Sequence, residues 1–204
     1  MRVLGIDPAS AGMTGYGVVD SDGRHCHPVH FGAMPAPKKP RRAARNGNGA
    51  STASLHQLCE VHALVKRLLA DYQPDAVALE GVFAALNVKT ALRLSEVRGV
   101  VLLAAAQAGI PVHTYSPREV KSRITGYGHA DKHQVQQMVR ALLRLRELPQ
   151  PPDAADALAV ALCHIQCAQA AARFAFATVP RRVPISAPRS GSPARLGRIQ
   201  HLRG

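Results

Sequence analysis

Acidic side chains are scarce in this chain: 13 Asp and Glu stand against 26 Lys and Arg, leaving a formal net charge of +13 and an isoelectric point near 10.5. So one-sided a balance points to a polyanionic partner. Cysteine is scarce too, and Cys26, Cys59, Cys163 and Cys167 show no disulfide-framework spacing, which excludes a small cross-linked scaffold and suits a reduced, cytoplasmic protein. No apolar run of 18 residues and no N-terminal charged-then-apolar segment is evident, so neither a membrane span nor a secretory leader is expected. There is no internal repeat, which excludes solenoid architectures.

The position of the charge matters more than its sum. Residues 36–50 carry five basic residues and residues 173–204 carry seven, neither stretch holds an acid, and together they supply 12 of the 13 net charges. The remainder, with 14 basic and 13 acidic residues, is nearly neutral. A chain of 204 residues has room for one domain with a real core plus attachments. The expected organisation is a folded domain over 1–172, interrupted by a basic insert at 34–52, and a basic tail over 173–204. These appendages would attract phosphates without regard to sequence, or serve only as solubilising segments. A zinc cluster of His25, Cys26, His27 and His30 is excluded, because alternating residues of one short strand cannot converge on a tetrahedral ion.

RVLGID (2–7) is a short apolar run ending on an acid; YGVVD (16–20) is a second, and a DSDGR turn leads to a third run through Phe31. These read as a three-stranded antiparallel meander. Beyond the insert, Leu55, Leu58, Val61, Leu64, Val65 and Leu68 recur at helical spacing, followed by a buried strand, DAVALE (75–80). A second helix over about 88–108 leads to a strand at PVHTY (111–115) and to helices near 131–146 and 153–172. That order predicts an α/β fold: a mixed five-stranded sheet with helices on both faces, as in ribonuclease-H-like proteins.

Four of the few acids fall at unusual places. Asp7 and Glu80 end apolar strands that would lie side by side, and Asp153 and Asp156, three apart, open a helix. Helix capping or dipole pairing accounts for either aspartate alone, and an Asp-Pro turn for Asp7. None of these accounts for Glu80. Converging carboxylates repel unless a cation neutralises them, and hard divalent ions take carboxylate oxygens and substrate phosphate. The cluster therefore predicts phosphodiester hydrolysis with two Mg²⁺ ions, Mn²⁺ substituting, about 4 Å apart, leaving a 5′ phosphate and a 3′ hydroxyl.

LGIDPAS with TGYGVV, ALEGVFAALNVKTALRLSEVRGVV, SPREVKSRITGYGHADKHQVQQMV and DAADALAVALCH, in order over residues 1–33 and 55–170, resemble the bacterial Holliday junction resolvases of the RuvC family. The resemblance implies that Asp7, Glu80, Asp153 and Asp156 are the catalytic metal-binding acids, and that Lys121 and Lys132 are catalytic, DNA-contacting cations beside them. It implies that Phe83 stacks on bases opened at the junction centre. It further implies a homodimer that nicks two strands of four-way junction DNA symmetrically, in recombination and repair, with branch-migration helicases as partners. Arg93 and Arg98 could face DNA or the partner subunit. The chain departs from the family pattern in a longer loop after Asp7 (PASAGMTG), in Leu86 where many relatives carry lysine, and in the basic insert and tail.

Three other readings compete: a ribonuclease H acting on RNA/DNA hybrids with the same acids, a non-catalytic junction-binding protein, and a sugar-kinase or actin-like ATPase. The last needs two such domains and an adenosine site, for which this chain has no room.

Overall fold

A computed structural model describes residues 1–8, 13–34, 52–81 and 88–177. Strands β1 (Arg2–Asp7), β2 (Thr14–Ser21) and β3 (Cys26–Met34) form the expected meander. Helix α1 (Thr52–Tyr72) then crosses to β4 (Ala76–Glu80), which pairs parallel with β1, and α2 (Val88–Gln107) crosses to β5 (Val112–Tyr115), parallel to β4. The sheet order β3-β2-β1-β4-β5 is the ribonuclease-H-like arrangement, with the first strand central and both parallel neighbours on one side.

Strand alternation divides the core in two. Leu4, Ile6, Val18, Val77 and Leu79 face α1 and α2, meeting Val61, Val65, Leu68, Val97 and Val101. Val3, Val19, Ala78 and Tyr115 face the opposite side, where α3 (Pro117–Thr125), α4 (Lys132–Leu142) and α5 (Pro152–Ala177) pack. Leu158, Leu162 and Ile165 of α5 are fully buried there, each contributing about 1.5–3 kcal/mol.

Three details depart from the sequence expectation. Helix α3 was not anticipated, although Ser116 caps it by accepting the Glu119 N–H and Pro117 occupies its first turn, where no N–H is needed. Helix α4 stops at Leu142 rather than 146, because Arg144 adopts φ 54° and the Leu145 N–H returns to the Arg140 carbonyl. Helix α5 continues past 172 to Ala177. Its stretch Pro152–Phe174, which holds no run of 18 apolar residues, is by length and mean hydropathy alone enough to cross a membrane, and most of it is buried inside the protein.

Candidate active site: an acid cluster at the carboxyl ends of β1 and β4

Parallel pairing of β1 with β4 aligns Ile6 with Leu79, so the next residue on each strand, Asp7 and Glu80, stands beside the other. Ile6 and Leu79 face α1 and α2; alternation therefore turns Asp7 and Glu80 to the α5 side. Substrate sites of open α/β sheets form at the carboxyl ends of parallel strands.

Helix α5 brings the other two acids. It lies almost directly on the sheet because glycines receive it: a Cβ on Gly15 would collide with the Asp153 carbonyl oxygen, and one on Gly5 with the Ala157 carbonyl oxygen. Gly15 pairs with Asp7 across β1 and β2, so the first turn of α5 is seated one strand from that carboxylate. Asp153 and Asp156 lie three residues apart in this turn, both half-buried.

Burial and mutual repulsion govern the electrostatics. The Asp7 carboxyl is held well above the usual carboxylate range, first by burial, then by the charge of Glu80 and the hydrogen bond with it, then by Asp156 and Asp153. Glu80 is raised by burial, against the hydrogen bond to Asp7; Asp156 opposes its ionisation, while Lys121 and Lys132 favour it. Burial likewise raises Asp156, opposed by its hydrogen bond to Lys132, whose Nζ lies 2.7 Å from Oδ2. The same bond raises the Lys132 ammonium.

The two lysines arrive from capped helices. Lys132 is the first residue of α4, after Asp131, whose side chain accepts the Gln134 N–H while the Gln134 side chain accepts the Asp131 N–H. Lys121 lies in α3, within electrostatic reach of Glu80 and Asp156. The structure thus brings together six predicted residues: Asp7, Glu80, Asp153, Asp156, Lys121 and Lys132. Phe83, Leu86 and the loop 9–12 lie outside the described residues. Arg98 serves the other face of the sheet, its Nη2 3.0 Å from Thr114 Oγ1, and Arg93 is exposed on α2.

Gly5 and Gly15 were missed in the sequence. Their signal was the period-two glycine pattern of β2, Gly15 and Gly17, facing an alanine-rich helix. Also missed was Tyr115, aligned with Glu80 on β5, whose hydroxyl lies 2.7 Å from Nδ1 of the buried His164 and ties β5 to α5. Burial lowers that imidazole to about 4, with a smaller contribution from His113, so the contact joins a neutral imidazole to the phenol at neutral pH.

The donor set is composed of hard carboxylate oxygens, buried and raised by one another, which suits a divalent cation. Among the described residues no three acid, histidine or cysteine side chains are yet drawn up closely enough to ligate one ion; Asp156 faces Lys132, and Asp7 shares a hydrogen bond with Glu80.

An acid cluster at these strand ends, with a helix carrying further acids laid over it, defines a ribonuclease-H-like protein with a polyacid site. The family model described as crossover junction endodeoxyribonuclease RuvC matches residues 3–164, and the chain belongs to that family. It is 46% identical over 177 residues to the crossover junction endodeoxyribonuclease RuvC of Chloroflexus aggregans, covering 85% of this chain and 98% of the relative. To the Desulfitobacterium hafniense protein of the same name it is 44% identical over 164 residues, 80% and 92% of the two chains. The solved Thermus thermophilus RuvC in complex with a Holliday junction substrate superposes with a TM-score of 0.72 at 35% identity, covering 84% and 96%. The yeast mitochondrial Holliday junction resolvase, 13% identical with a TM-score of 0.58, shares the fold.

Proposed function

We propose that this chain is a structure-selective DNA endonuclease that resolves four-way (Holliday) junctions by paired symmetric nicks. The observation that carries the reading is the gathering of Asp7, Glu80, Asp153 and Asp156 from two strand ends and one helix, beside Lys121 and Lys132, in a member of the RuvC family.

In this reading the four acids hold two divalent cations, Mg²⁺ or Mn²⁺. When bound, such a pair supplies activation of the attacking water and stabilisation of the departing 3′ oxygen. The protein supplies the rest. Burial favours the protonated forms of Asp7 and Glu80, and a bound cation would favour the ionised ones that serve as its ligands. Lys132, the counter-charge of Asp156 in the present arrangement, is freed to hold a phosphate oxygen, and Lys121 adds positive charge to the same side. Cleavage leaves a 5′ phosphate and a 3′ hydroxyl.

The active unit is a homodimer. Val88, Leu92 and Leu103 are 75%, 61% and 54% exposed, and with Gly99, beside which a Cβ would meet nothing within 4 Å, they fall at helical spacing along one stripe of α2. An unpaired apolar stripe on a helix that flanks the sheet suits a twofold contact with a second copy. The basic segments 36–50 and 178–204, both outside the described residues, add salt-sensitive attraction to DNA. Four free thiols suit a reduced cytoplasmic setting, and branch-migration helicases are the expected companions.

The test is cleavage of a synthetic four-way junction, with matched duplex and RNA/DNA hybrid as controls, in Mg²⁺, in Mn²⁺ and in chelator, beside Asp7→Asn. Symmetric, metal-dependent nicks on the junction alone, abolished by the substitution, are expected. Binding without nicks would establish a non-catalytic junction-binding protein instead, and cleavage of the hybrid a ribonuclease H.

A further inference from the structure

On the two helices that carry Lys121 and Lys132 lies an open groove of about 350 Å³ that the catalytic reading leaves unused, formed by the end of α3, the turn that follows and α4. Its walls include Tyr127, Ala130, His133, Gln137 and Met138. We propose that this groove is a nucleobase subsite, in which Tyr127 stacks on one base of the strand that adjoins the scissile phosphate. The proposal rests on the junction-cleaving reading above.

Position is the first reason. The groove and the acid site share their supporting elements: His133 follows Lys132, whose Nζ touches Asp156, and Thr125 Oγ1 lies 2.9 Å from the carbonyl of Lys121, one helical turn earlier. A strand held at Lys121 and Lys132 thus lies against the same two helices that form the groove.

The second reason is the way Tyr127 is held. Its N–H donates to Thr125 Oγ1 at 3.1 Å, and its carbonyl accepts the Ala130 N–H at 3.1 Å. The preceding Gly126, at φ 80°, closes α3 and sets the turn. Yet the side chain is 62% exposed, its ring meeting that of His129 with centroids 5.6 Å apart. A fixed backbone presenting an exposed aromatic ring is a stacking platform whose ordering cost is already met by the fold.

The third reason is complementarity. Between residues 117 and 142 there are five basic side chains, Arg118, Lys121, Arg123, Lys132 and Arg140, against Glu119 and Asp131, and the Asp131 side chain is spent on capping α4. The surroundings therefore favour a polyanion over an acidic or uncharged peptide. Gln137 and His133, 3.2 Å apart, also line the groove, an amide and an imidazole able to meet the hydrogen-bonding edge of a base.

The experiment places 2-aminopurine at successive positions around the cleavage point of a synthetic four-way junction, bound by the full-length Asp7→Asn protein. One position is expected to be quenched on binding, to lose that quenching when Tyr127→Ala is added, and to keep it with Tyr127→Phe. Tyr127→Ala in the otherwise unaltered enzyme should weaken junction binding on the order of 5- to 100-fold, the range expected for loss of one base–aromatic stack. Because the ring is exposed, the melting temperature should not move. Fluorescence unchanged at every position by Tyr127→Ala, in a protein that still cuts junctions, would overturn the subsite and leave the proposed function standing. A parent enzyme that neither binds nor cuts junctions would overturn both.

Discussion

Gly15→Ala tests whether the seat of α5 on the sheet sets the catalytic geometry. A Cβ at Gly15 would stand 2.6 Å from the carbonyl carbon of Asp153 and closer still to its oxygen, so that carbonyl must retreat by at least 0.8 Å to restore an ordinary 3.4 Å contact. The obstacle is helix backbone, which cannot rotate aside as a side chain can. The whole first turn of α5, with Asp153 and Asp156, must lift away from Asp7. Overpacking of this kind costs about 1–3 kcal/mol, and a displacement near 1 Å at a reacting centre costs about 100-fold in rate. We expect Gly15→Ala to unfold at lower urea and to lose roughly 100-fold in junction-cleavage kcat, with a weakened Mg²⁺-induced rise in melting temperature. Gly17→Ala is the comparison: its Cβ would meet chiefly the Leu158 side chain, at 2.7 Å, which can yield. It should cost stability while sparing most of the rate. Full activity in Gly15→Ala, or equal losses of rate in the two variants at matched stability, would refute the argument.

Five further outcomes are expected. Folded Asp7 holds its proton more tightly than the unfolded chain, so in chelator it lowers stability as pH rises from the ordinary carboxylate range through its raised pKa; Asp7→Asn should therefore leave stability unchanged near pH 4 and raise it at pH 8, by calorimetry. Saturating Mg²⁺ at about 100 times its Kd should add about 2.7 kcal/mol to the parent protein at neutral pH, and measurably less to Asp7→Asn. Lys132→Met should reduce kcat on the order of 100- to 1,000-fold while shifting stability by less than about 1 kcal/mol, since its ion pair with Asp156 is half-exposed; an unchanged kcat removes Lys132 from the chemistry. Leu92→Glu should convert a dimer to a folded monomer in sedimentation, and ending the chain after Ala177, which removes six arginines, should flatten the salt dependence of junction binding; a persistent dimer or an unchanged slope would count against each.

Tyr115→Phe would probe a different support. It leaves the buried Nδ1 of His164 without its partner, which should cost about 1–3 kcal/mol in urea unfolding.

The order of strands and helices was legible because the central strands RVLGID and DAVALE are short continuous apolar runs, as strands buried on both faces must be, while Leu55–Leu68 repeats near 3.6. Helix α3 escaped that reading, since only Val120 and Ile124 of its nine residues are buried and its start rests on a cap rather than a stripe. Asp7 and Glu80 could be singled out because a carboxylate at the end of an apolar strand needs a reason that Val or Leu does not, and Asp153 and Asp156 by their spacing of three at a helix start together with the family resemblance. Gly5 could not, because nothing local distinguishes a glycine that ends a turn from one that admits a helix; Gly15 had only the faint signal of its period-two pairing with Gly17.

What the sequence by itself determined is the set of chemical groups and the elements that bear them: hard oxygen ligands, two lysines, and strands and helices in an order compatible with one sheet. What only the tertiary structure decided is their meeting. Asp7 and Glu80 are neighbours because β1 pairs with β4 in a particular parallel register, and Asp156 joins them because Gly5 and Gly15 let α5 approach the sheet at backbone contact. Register and approach distance are properties of pairs of elements far apart in the chain, fixed by packing and hydrogen bonding between them, and no local pattern in either partner encodes them alone.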